Sequence, residues 1–544
     1  MGDKSNGKSE TLLIEEESIL GYPWIPIYEK PVNFDANHFE TAMSNLIKQP
    51  NINSTVIMRA DILTENIYDP EKGDTKFVSK LVNQMPEFPS SDESAILKRD
   101  LTDVTLRSIP SSQDDQNLHL KPKYEIIRRI IPRNPFKDYI INQTCLVLAN
   151  GTESVLVVYI PHISSKEEVP FYLPEVYGVG ILYHKKSLSI HYLPFGYQGE
   201  SKVEYNALKS LDSGNRAIRI ALRLLETSYK HSNGVMAGYE KRVNHDMIVP
   251  KIAFQNRYIS LKKKYSSDLV NSWSESTDPK KHVFEDLAIA AFLIEFWKIL
   301  YKEDEEFEFR DLGCGNGLLV YILNNEGYKG IGIDARARKS WIGYPESVQN
   351  NLKEQIVIPS ILLKPHPAVA KMAPHLKDNG RYFQIPDSPS SYYSSASLLA
   401  SDKVCTMEDF PKNTFIIGNH SDELTCWIPL LGYPFMVIPC CSHSVSGIKV
   451  RFTPRKNSPS SNSTYASLVD HVEDLSITMG WNAKKEMLRI PSTRNAAIIG
   501  TERSIIENEE SYQTRLLDIL ALEGGTEGWV ENSVALMKRP PRNH

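Results

Sequence analysis

The chain has 544 residues, enough for three to four domains at about 150 residues each, or for one enlarged domain with appendages. Hydrophobic residues make up 41% and charged residues 24%, which excludes wholesale disorder, a collagen-like repeat and a small disulfide-stapled scaffold. Lys and Arg number 62 against 67 Asp and Glu, a net charge of −5. A histone-like polycation is therefore excluded, and any nucleic acid must be bound by a local basic face.

The cysteines and the N-terminus predict a cytoplasmic protein. Six irregularly spaced cysteines with no Cys-x-x-Cys pair are typical of a reducing compartment. The N-terminal MGDKSN has no apolar signal segment, and it has Asn6 where myristoylation requires Ser or Thr. Residues 424–448 lack Lys, Arg, Asp and Glu, but their prolines favour buried strand and loop over a membrane helix.

Residues 1–200 predict a mixed α/β region whose role the sequence does not reveal. Asp35 is a plausible cap for a helix with Phe39, Met43 and Leu46 on its apolar side. Farther along, IINQTCLVLANGTESVLVVYIPHI predicts two strands joined at the turn Asn150-Gly151. Residues 90–116, rich in Ser and Asp, predict a surface loop.

Residues 201–277 predict a helical, basic linker region with a possible RNA face. A helix over 215–231, closed by Asn233-Gly234, would carry three arginines on one side; they contact RNA phosphate or form an ordinary solvated face. These are Arg216, Arg219 and Arg223. Residues 241–265 hold seven cations and one acid, Asp246. Their aromatic residues have core spacing, and Lys262, Lys263 and Lys264 are the candidate RNA contacts.

The segment FEFRDLGCGNGLLVYILNNEGYKGIGIDARARKSW carries the chemistry. It predicts a strand over 307–312, a glycine loop, a helix over 318–324 and a second strand over 330–334, after a buried helix capped by Asp278. In the loop, Gly313, Gly315 and Gly317 let a ligand lie against bare peptide. Asp334 is placed to accept hydrogen bonds from two ribose hydroxyls, with Asp311 before the glycines. The pattern looks like the S-adenosylmethionine-binding core of Rossmann-type methyltransferases.

Two more strands extend the predicted sheet after an insertion, or lid, near residues 345–400. The stretch TFIIGNHSDELTCWIPLL predicts a strand, a polar turn and a helix, which puts Asn419, His420 and Asp422 beside the cofactor. Alternatively, Ser421 and Asp422 only cap that helix. Cys440 and Cys441 are expected to be structural, because adjacent thiols are poor joint ligands for one metal ion; we predict no metal.

Several blocks, in order, resemble the tRNA (uracil-2′-O)-methyltransferase family. They span about residues 241–500 and read KRVNHDMIVPKIAFQNRYISLKKKY, DPKKHVFEDLAIAAFLIEFW, FRDLGCGNGLLVYIL, GIGIDARARKSW, FIIGNHSDELTCWIPLL, VIPCC and LRIPSTRNAAIIG. The resemblance implies methyl transfer from S-adenosylmethionine to the ribose of the uridine at position 44 of serine tRNA, in the eukaryotic cytoplasm. The Lys-Asp-Lys-Glu pattern of some other ribose methyltransferases is absent.

The predicted fold class is α/β, a Rossmann-like doubly wound methyltransferase sheet over 278–505, with the N-terminal mixed α/β region and a C-terminal extension over 506–544. The catalytic candidate is Asp422, with His420 as its alternative. The cofactor candidates are Asp311, Gly313, Gly315, Gly317, Asp334 and Asn419. Arg489 and Arg494, before the strand AAIIG at the presumed sheet edge, either hold RNA phosphate or pair with surface carboxylates.

Three functions remain open from the residues alone. The first is an RNA ribose methyltransferase with tRNA, and neither DNA nor a membrane, as its partner; the sequence names no protein partner. The second is a methyltransferase for a protein or a small molecule. The third is a non-catalytic subunit that binds tRNA and keeps the cofactor pocket for stability. The basic faces favour RNA, and the intact glycine loop favours an active enzyme.

Overall fold

The computed structural model describes residues 10–69, 73–80, 101–110, 118–135, 137–199, 202–239, 245–385, 388–455, 463–504 and 509–538. The chain divides into two compact units, Met1–Lys241 and Arg242–His544. Most of the predicted loop over 90–116 lies outside the described residues, as do Lys241 and Arg242 of the basic run. None of the described helices has the length and apolar character that crossing a membrane requires.

The N-terminal unit contains one antiparallel sheet, nine-stranded in the part of the chain that the structure describes. Its strands are β1 Thr11–Leu12, β2 Ile25–Pro31, β3 Ile57–Asp69, β4 Gly73–Lys80, β5 Lys121–Pro132, β6 Ile141–Asn150, β7 Ser154–Pro161, β8 Gly178–His184 and β9 Ser187–Leu193. They lie in the order β1-β2-β9-β8-β7-β6-β5-β3-β4. The helices are α1 Ala36–Lys48, α2 Val203–Lys209 and α3 Arg216–Met236.

Apolar faces of α1 and α3 pack on this sheet. Phe39, Met43 and Leu46 of α1 are buried in one cluster with strand residues, as their spacing predicts. The two strands predicted around Asn150-Gly151 are β6 and β7, joined by a tight turn in which Glu153 N–H donates to Asn150 O. The predicted mixed α/β character of this region is confirmed.

The predicted end of α3 at Asn233-Gly234 is wrong, because the helix continues to Met236. Asn215 caps its start by accepting a hydrogen bond from Ala217 N–H, as expected of that residue type. Asn233, however, bonds back to Tyr229 O within the helix instead of stabilising a turn. The chain turns away only at Gly238, which has a φ of +68°.

The C-terminal unit contains the predicted chemistry segment. Its helices are α4 Lys251–Asn271, α5 Pro279–Leu300, α6 Leu318–Asn325, α7 Glu346–Gln349, α8 Pro367–Met372, α9 Ser395–Leu399, α10 Thr464–Thr478, α11 Glu509–Leu522 and α12 Trp529–Lys538. Its strands are β10 Glu308–Leu312, β11 Gly330–Asp334, β12 Leu352–Glu354, β13 Ile356–Val357, β14 Tyr382–Ile385, β15 Ser388–Ser394, β16 Val404–Cys405, β17 Thr414–Asn419, β18 Phe435–Ile438, β19 Lys484–Met487 and β20 Ala496–Gly500.

Seven of these strands form the main sheet, in the order β12-β11-β10-β17-β18-β20-β19. The first five are mutually parallel, while β20 runs antiparallel to both β18 and β19. From β10 the chain proceeds to one side through β11 and β12, and later to the other side through β17 and β18. The strand order therefore reverses between β10 and β17, where open parallel sheets leave a crevice for ligands.

Both faces of the main sheet are covered. Along β17, Phe415 and Ile417 belong to the hydrophobic cluster that includes α4, α5 and α6, whereas Ile416 belongs to the cluster that includes α10, α11 and α12. Since successive side chains of a strand point to opposite faces, the two clusters lie on opposite sides. The predicted buried helix is α5, and Asp278 caps it by accepting from Lys280 N–H.

Two expectations for this unit need correction. The turn after β17 leads into two short 3₁₀ segments, Asp422–Leu424 and Ile428–Leu430, because Pro429 interrupts an α-helix at that point. The strand β20 is not at the sheet edge, since β18 and β19 pair with its two sides. The insertion near 345–400 forms two small sheets, β13 with β16 and β14 with β15, and several of its apolar residues join the core.

The boundary between the two compact units falls inside the predicted segment 201–277. Helix α3, expected within a linker over 201–277, packs on the N-terminal sheet. Helix α4, from the same segment, packs against α5 and buries Phe254, Leu261 and Tyr265 in the core of the C-terminal unit. The apolar surface of each helix therefore decides which unit it joins, and the segment itself is no separate body.

Candidate active site

The crevice between β10 and β17 opens into a cavity of about 1090 Å³ in the C-terminal unit. Its lining includes Gly313 and Gly315 of the loop after β10, Asp334 at the end of β11, and His420 and Asp422 of the loop after β17. The two loops touch: a Cβ on Gly313 would lie 3.3 Å from Ser421 Cβ. The cavity thus brings together most of the cofactor and catalytic candidates.

The glycine loop follows the end of β11. Gly313 N–H and Cys314 N–H both donate to Ile333 O, at 2.8 and 3.2 Å. All three glycines have positive φ, +76°, +54° and +74° along the loop, a conformation that other residues rarely adopt. A Cβ on Gly317 would come within 2.9 Å of a Leu352 methyl group, whereas one on Gly315 would meet nothing within 4 Å.

Asp334 binds this loop through its carboxylate. It accepts hydrogen bonds from Gly315 N–H at 3.0 Å and from Arg336 N–H at 3.1 Å, and Arg338 lies 3.8 Å away. Burial raises the pKa of Asp334, while Arg338 and the two backbone donors oppose that rise. The carboxylate therefore lies at the cavity wall in a fixed orientation.

Asp311 lies in the core instead of the cavity lining. Its side chain is buried on β10, and Oδ1 has no hydrogen-bond partner among the described residues. Burial, with the nearby carboxylates of Asp286 and Asp334, raises its pKa well above the ordinary value. The structure thus gives Asp311 no direct contact with the space where a cofactor fits.

Two acids of α5 that the sequence analysis overlooked hold the loop after β17. Glu285 Oε1 lies 3.1 Å from His420 Nε2, and Asp286 Oδ1 accepts a hydrogen bond from Asn419 Nδ2 at 3.0 Å. Burial raises the pKa of Asp286 to about 7, with a further contribution from Glu285. Burial acts in the same direction on Glu285, but His420 and Ser492 keep its pKa below the ordinary value. The available signal was a pair of adjacent acids directly before the apolar run of α5.

The catalytic candidates lie in a strained loop. His420 and Asp422 have φ of +54° and +43°, unusual for residues with side chains. Ser421 begins the 3₁₀ segment without a side-chain capping bond, and Asp422 instead accepts a hydrogen bond from the Cys440 thiol at 3.1 Å. The geometry of Ser421 therefore gives no support to the helix-cap interpretation.

Comparison with known proteins follows the two units. Residues 5–242 match the family described as the TRM44-like, N-terminal bet v1-like domain, and residues 248–359 match the predicted AdoMet-dependent methyltransferase family. The tRNA (uracil-O(2)-)-methyltransferase of Debaryomyces hansenii is 64% identical, over 98% of this chain and 98% of its own. This chain belongs to the tRNA (uracil-O(2)-)-methyltransferase family.

More distant members are similar along the whole length as well. The tRNA (uracil-O(2)-)-methyltransferase of Saccharomyces cerevisiae is 53% identical, over 98% of this chain and 96% of its own, and that of Schizosaccharomyces pombe is 36% identical, over 96% and 94%. No solved structure matches the chain. As a methyltransferase of this family, it uses S-adenosylmethionine as cofactor. The open space over Gly315 and the fixed Asp334 carboxylate suit a nucleoside ligand.

The RNA-binding candidates that lie in the C-terminal unit differ in their contacts and in their exposure. Arg489 donates from Nε and Nη2 to the two carboxylate oxygens of Asp246, at 2.7 and 2.6 Å, which is the carboxylate pairing that the sequence left open. Arg494 is exposed and lines the cavity. Lys264 pairs with Glu326 at 2.7 Å, Lys262 lies 5.7 Å over the Phe284 ring, and Lys263 is exposed.

The three arginines of α3 belong to the N-terminal unit. Arg216 lies 3.6 Å from Glu175 and packs over the Phe171 ring. Arg223 donates to Asn53 O at 3.2 Å, and Arg219 is exposed. The predicted stripe therefore exists, although two of its members already have protein partners.

Exposed cations surround the cavity mouth, and of these the sequence had indicated only Arg494. Among the charged residues that line the cavity in the described structure, those that are exposed are all cations, while the carboxylates are buried or half-buried. The exposed ones are Lys281, Lys339, Lys449 and Arg494. The cations at the rim suit binding of a polyanion. The acidic interior is then left for the reacting group of that polyanion. These cations come from four separate segments, so no run of charges in the sequence indicates them.

Proposed function

We propose that this chain transfers the methyl group of S-adenosylmethionine to the 2′-hydroxyl of a uridine ribose in tRNA. One observation carries the proposal: a single cavity contains the loop held by Asp334, the polar side chains after β17, and a rim of exposed cations. The names of the relatives identify uracil in tRNA as the substrate of those enzymes. At the finer level, we propose the uridine at position 44 of serine tRNA and action in the cytoplasm.

The strand order supports a Rossmann-like, doubly wound methyltransferase sheet, whose core we assign to residues 278–505. Order reversal between β10 and β17 and helices on both faces are the features of such sheets. Asp334 and the three glycines would hold the nucleoside part of the cofactor, and Asn419 would contact it from the loop after β17. Asp311 would act indirectly, by supporting the loop from the core.

S-adenosylmethionine supplies a sulfonium methyl that is already strongly activated, so the protein has mainly to align the acceptor. The oxygen, methyl carbon and sulfur must lie in line, and a base takes the hydroxyl proton late in the transfer. Asp422 is our first candidate for that base and His420 is its alternative. Glu285 holds the His420 ring through Nε2, which leaves Nδ1 as the nitrogen able to accept a proton.

We propose that tRNA phosphates lie along the cationic rim. Arg494 is the candidate from the sequence that also borders the cavity. We propose phosphate contacts for the exposed side chains of Arg219 and Lys263 as well, and Lys263 would share its present interaction. Five other candidates already contact a protein group, which a phosphate would have to share or displace. They are Arg489, Lys262, Lys264, Arg216 and Arg223.

Methyl transfer from radiolabelled S-adenosylmethionine to unmodified tRNA transcripts tests the proposal. We expect incorporation into serine tRNA, with 2′-O-methyluridine at position 44 by mass spectrometry, and none when that uridine lacks its 2′-hydroxyl. Incorporation into proteins or small metabolites alone would identify a different methyltransferase. Cofactor binding without incorporation into any tRNA would support a non-catalytic subunit.

A further inference from the structure

A cluster of metal-ligating atoms borders the same cavity. The carboxylate of Asp422 and the thiols of Cys440 and Cys441 place one ligand atom each within 4.8 Å of one another. The three side chains are half-buried and line the cavity. The chain's other four cysteines are buried, and of those Cys314 also lines the cavity, so Cys440 and Cys441 are its half-buried thiols.

The sheet brings these three residues together. In the parallel pair β17 and β18, Asn419 lies opposite Ile438, so Asp422 and Cys440 follow their strands at the same edge. Beyond Ile438 the backbone is irregular, and the Sγ atoms of Cys440 and Cys441 lie within 4.8 Å of each other. The objection that adjacent thiols are poor joint ligands therefore does not apply at this position.

We propose that Asp422, Cys440 and Cys441 bind a Zn²⁺ ion whose fourth position is open to the cavity. Two thiolates and a carboxylate are ligands that zinc prefers, and three protein ligands with an open position are typical of catalytic zinc. Zinc bond lengths place such ligand atoms about 3.5 to 3.8 Å apart. The 4.8 Å limit of the present cluster exceeds that spacing by about 1 Å.

The surrounding charges suit such an ion. Two thiolates and one carboxylate carry three negative charges, and a divalent cation leaves one of them uncompensated. Arg494 Nη1 lies 3.9 Å from Cys441 Sγ and supplies the remaining positive charge. Cys440 Sγ donates a hydrogen bond to Asp422 Oδ1 at 3.1 Å, and zinc would take the place of that thiol hydrogen.

The open coordination position would let the ion bind the hydroxyl group that is methylated. This part of the inference rests on the proposed function. A ribose hydroxyl oxygen bound there would be more acidic than a free one, because zinc lowers the pKa of oxygen ligands. As the oxygen–carbon bond forms, the carbon–sulfur bond breaks and its electron pair stays on sulfur, giving the neutral thioether. The hydroxyl proton goes to His420, since Asp422 is then a zinc ligand.

Metal analysis of the purified full-length chain tests the site without any tRNA. After reduction of the thiols and dialysis against micromolar Zn²⁺, we expect one zinc per chain by mass spectrometry. Titration with Co²⁺ should give the thiolate-to-cobalt charge-transfer absorption. The variants Cys440→Ser and Cys441→Ser should each weaken metal affinity at least about tenfold. Cys405→Ser, in a buried thiol remote from the cluster, is the matched control and should bind zinc like the wild type.

Two results would overturn the inference separately from the proposed function. If the reduced wild type binds neither Zn²⁺ nor Co²⁺, or if the double variant Cys440→Ser, Cys441→Ser keeps wild-type affinity, the site does not exist. If the chain stripped of zinc by a chelator methylates tRNA at the full rate, the ion has no part in the transfer, while the proposed function stands.

Discussion

The carboxylate of Asp334 holds the glycine loop and faces the cofactor cavity at the same time. Replacement by alanine removes the acceptor for Gly315 N–H as well as the proposed bonds to the cofactor ribose, each worth about 1.5 to 3 kcal/mol. We expect Asp334→Ala to weaken S-adenosylmethionine binding more than tenfold by calorimetry. Glu354→Ala, at a half-exposed side chain outside the cavity lining, is the control. Unchanged affinity in folded Asp334→Ala would remove this residue from the site.

Asp286 makes the stability of the C-terminal unit dependent on pH. Its folded pKa of about 7 lies above the ordinary 3.8, so the protonated form stabilises the fold at low pH. This contribution is complete below about pH 4 and is lost as the pH rises through 7. We expect Asp286→Asn to match the wild type below about pH 4 and to gain about 1 to 3 kcal/mol of relative stability between pH 5 and pH 8 in urea unfolding.

Glu285 provides a control of opposite sign. Its pKa is lowered in the folded chain, so its contribution is present above the unfolded pKa and is lost as the pH falls through the folded one. Glu285→Gln should therefore lower stability at neutral pH. If Asp286→Asn gains nothing at pH 8, Asp286 is not the buried group that titrates.

Asp422 and His420 can be separated by single-turnover kinetics. Asp422→Asn keeps the shape of the side chain, so cofactor and tRNA binding should stay near normal while the rate falls at least about a hundredfold, if Asp422 is the base. His420→Gln should have that effect if His420 is the base. If Asp422 binds zinc, we expect the single-turnover rate to fall strongly in both variants. Only Asp422→Asn should then also lose zinc.

The glycine loop can be dissected as an element by a matched pair of substitutions. Gly315→Ala adds only left-handed strain, about 1 to 2 kcal/mol, because no atom lies within 4 Å of the new Cβ. Gly317→Ala adds contact with Leu352 at 2.9 Å and should destabilise the unit by about 1 to 3 kcal/mol more. Thermal unfolding compares the two variants. Equal losses would mean that Leu352 moves aside freely.

Helices, strands and loops could be predicted where the pattern that indicates them lies within one short segment of the sequence. The strand, glycine loop and helix around Gly313 follow from periodicity and from glycine chemistry, and both are properties of neighbouring residues. The contacts of Glu285 and Asp286 with the loop after β17 bridge 135 and 133 residues. The sheet order brings them together, and no pattern in one segment indicates such pairs. For the same reason the sequence did not place Asp422 beside Cys440 and Cys441, which were expected to be structural.

At the scale of the whole molecule, the salt dependence of tRNA binding distinguishes two arginines that lie close in sequence. Arg494 is exposed at the cavity rim, whereas Asp246 holds Arg489. We expect Arg494→Ala to reduce the slope of log affinity against log salt by about 0.7 to 0.9, the value for one phosphate contact. Arg489→Ala should leave the slope unchanged and lower stability instead. A wild-type slope in filter binding of Arg494→Ala would exclude it from the RNA contact.

The position of β20 inside the sheet has a consequence for biosynthesis. This strand leaves the ribosome after β18 and β19, yet it fills the place between them. Until then, β18 presents an unpaired edge whose residues are all buried in the finished unit. A nascent chain in that state is prone to aggregate, so chaperones should be needed until β20 is released.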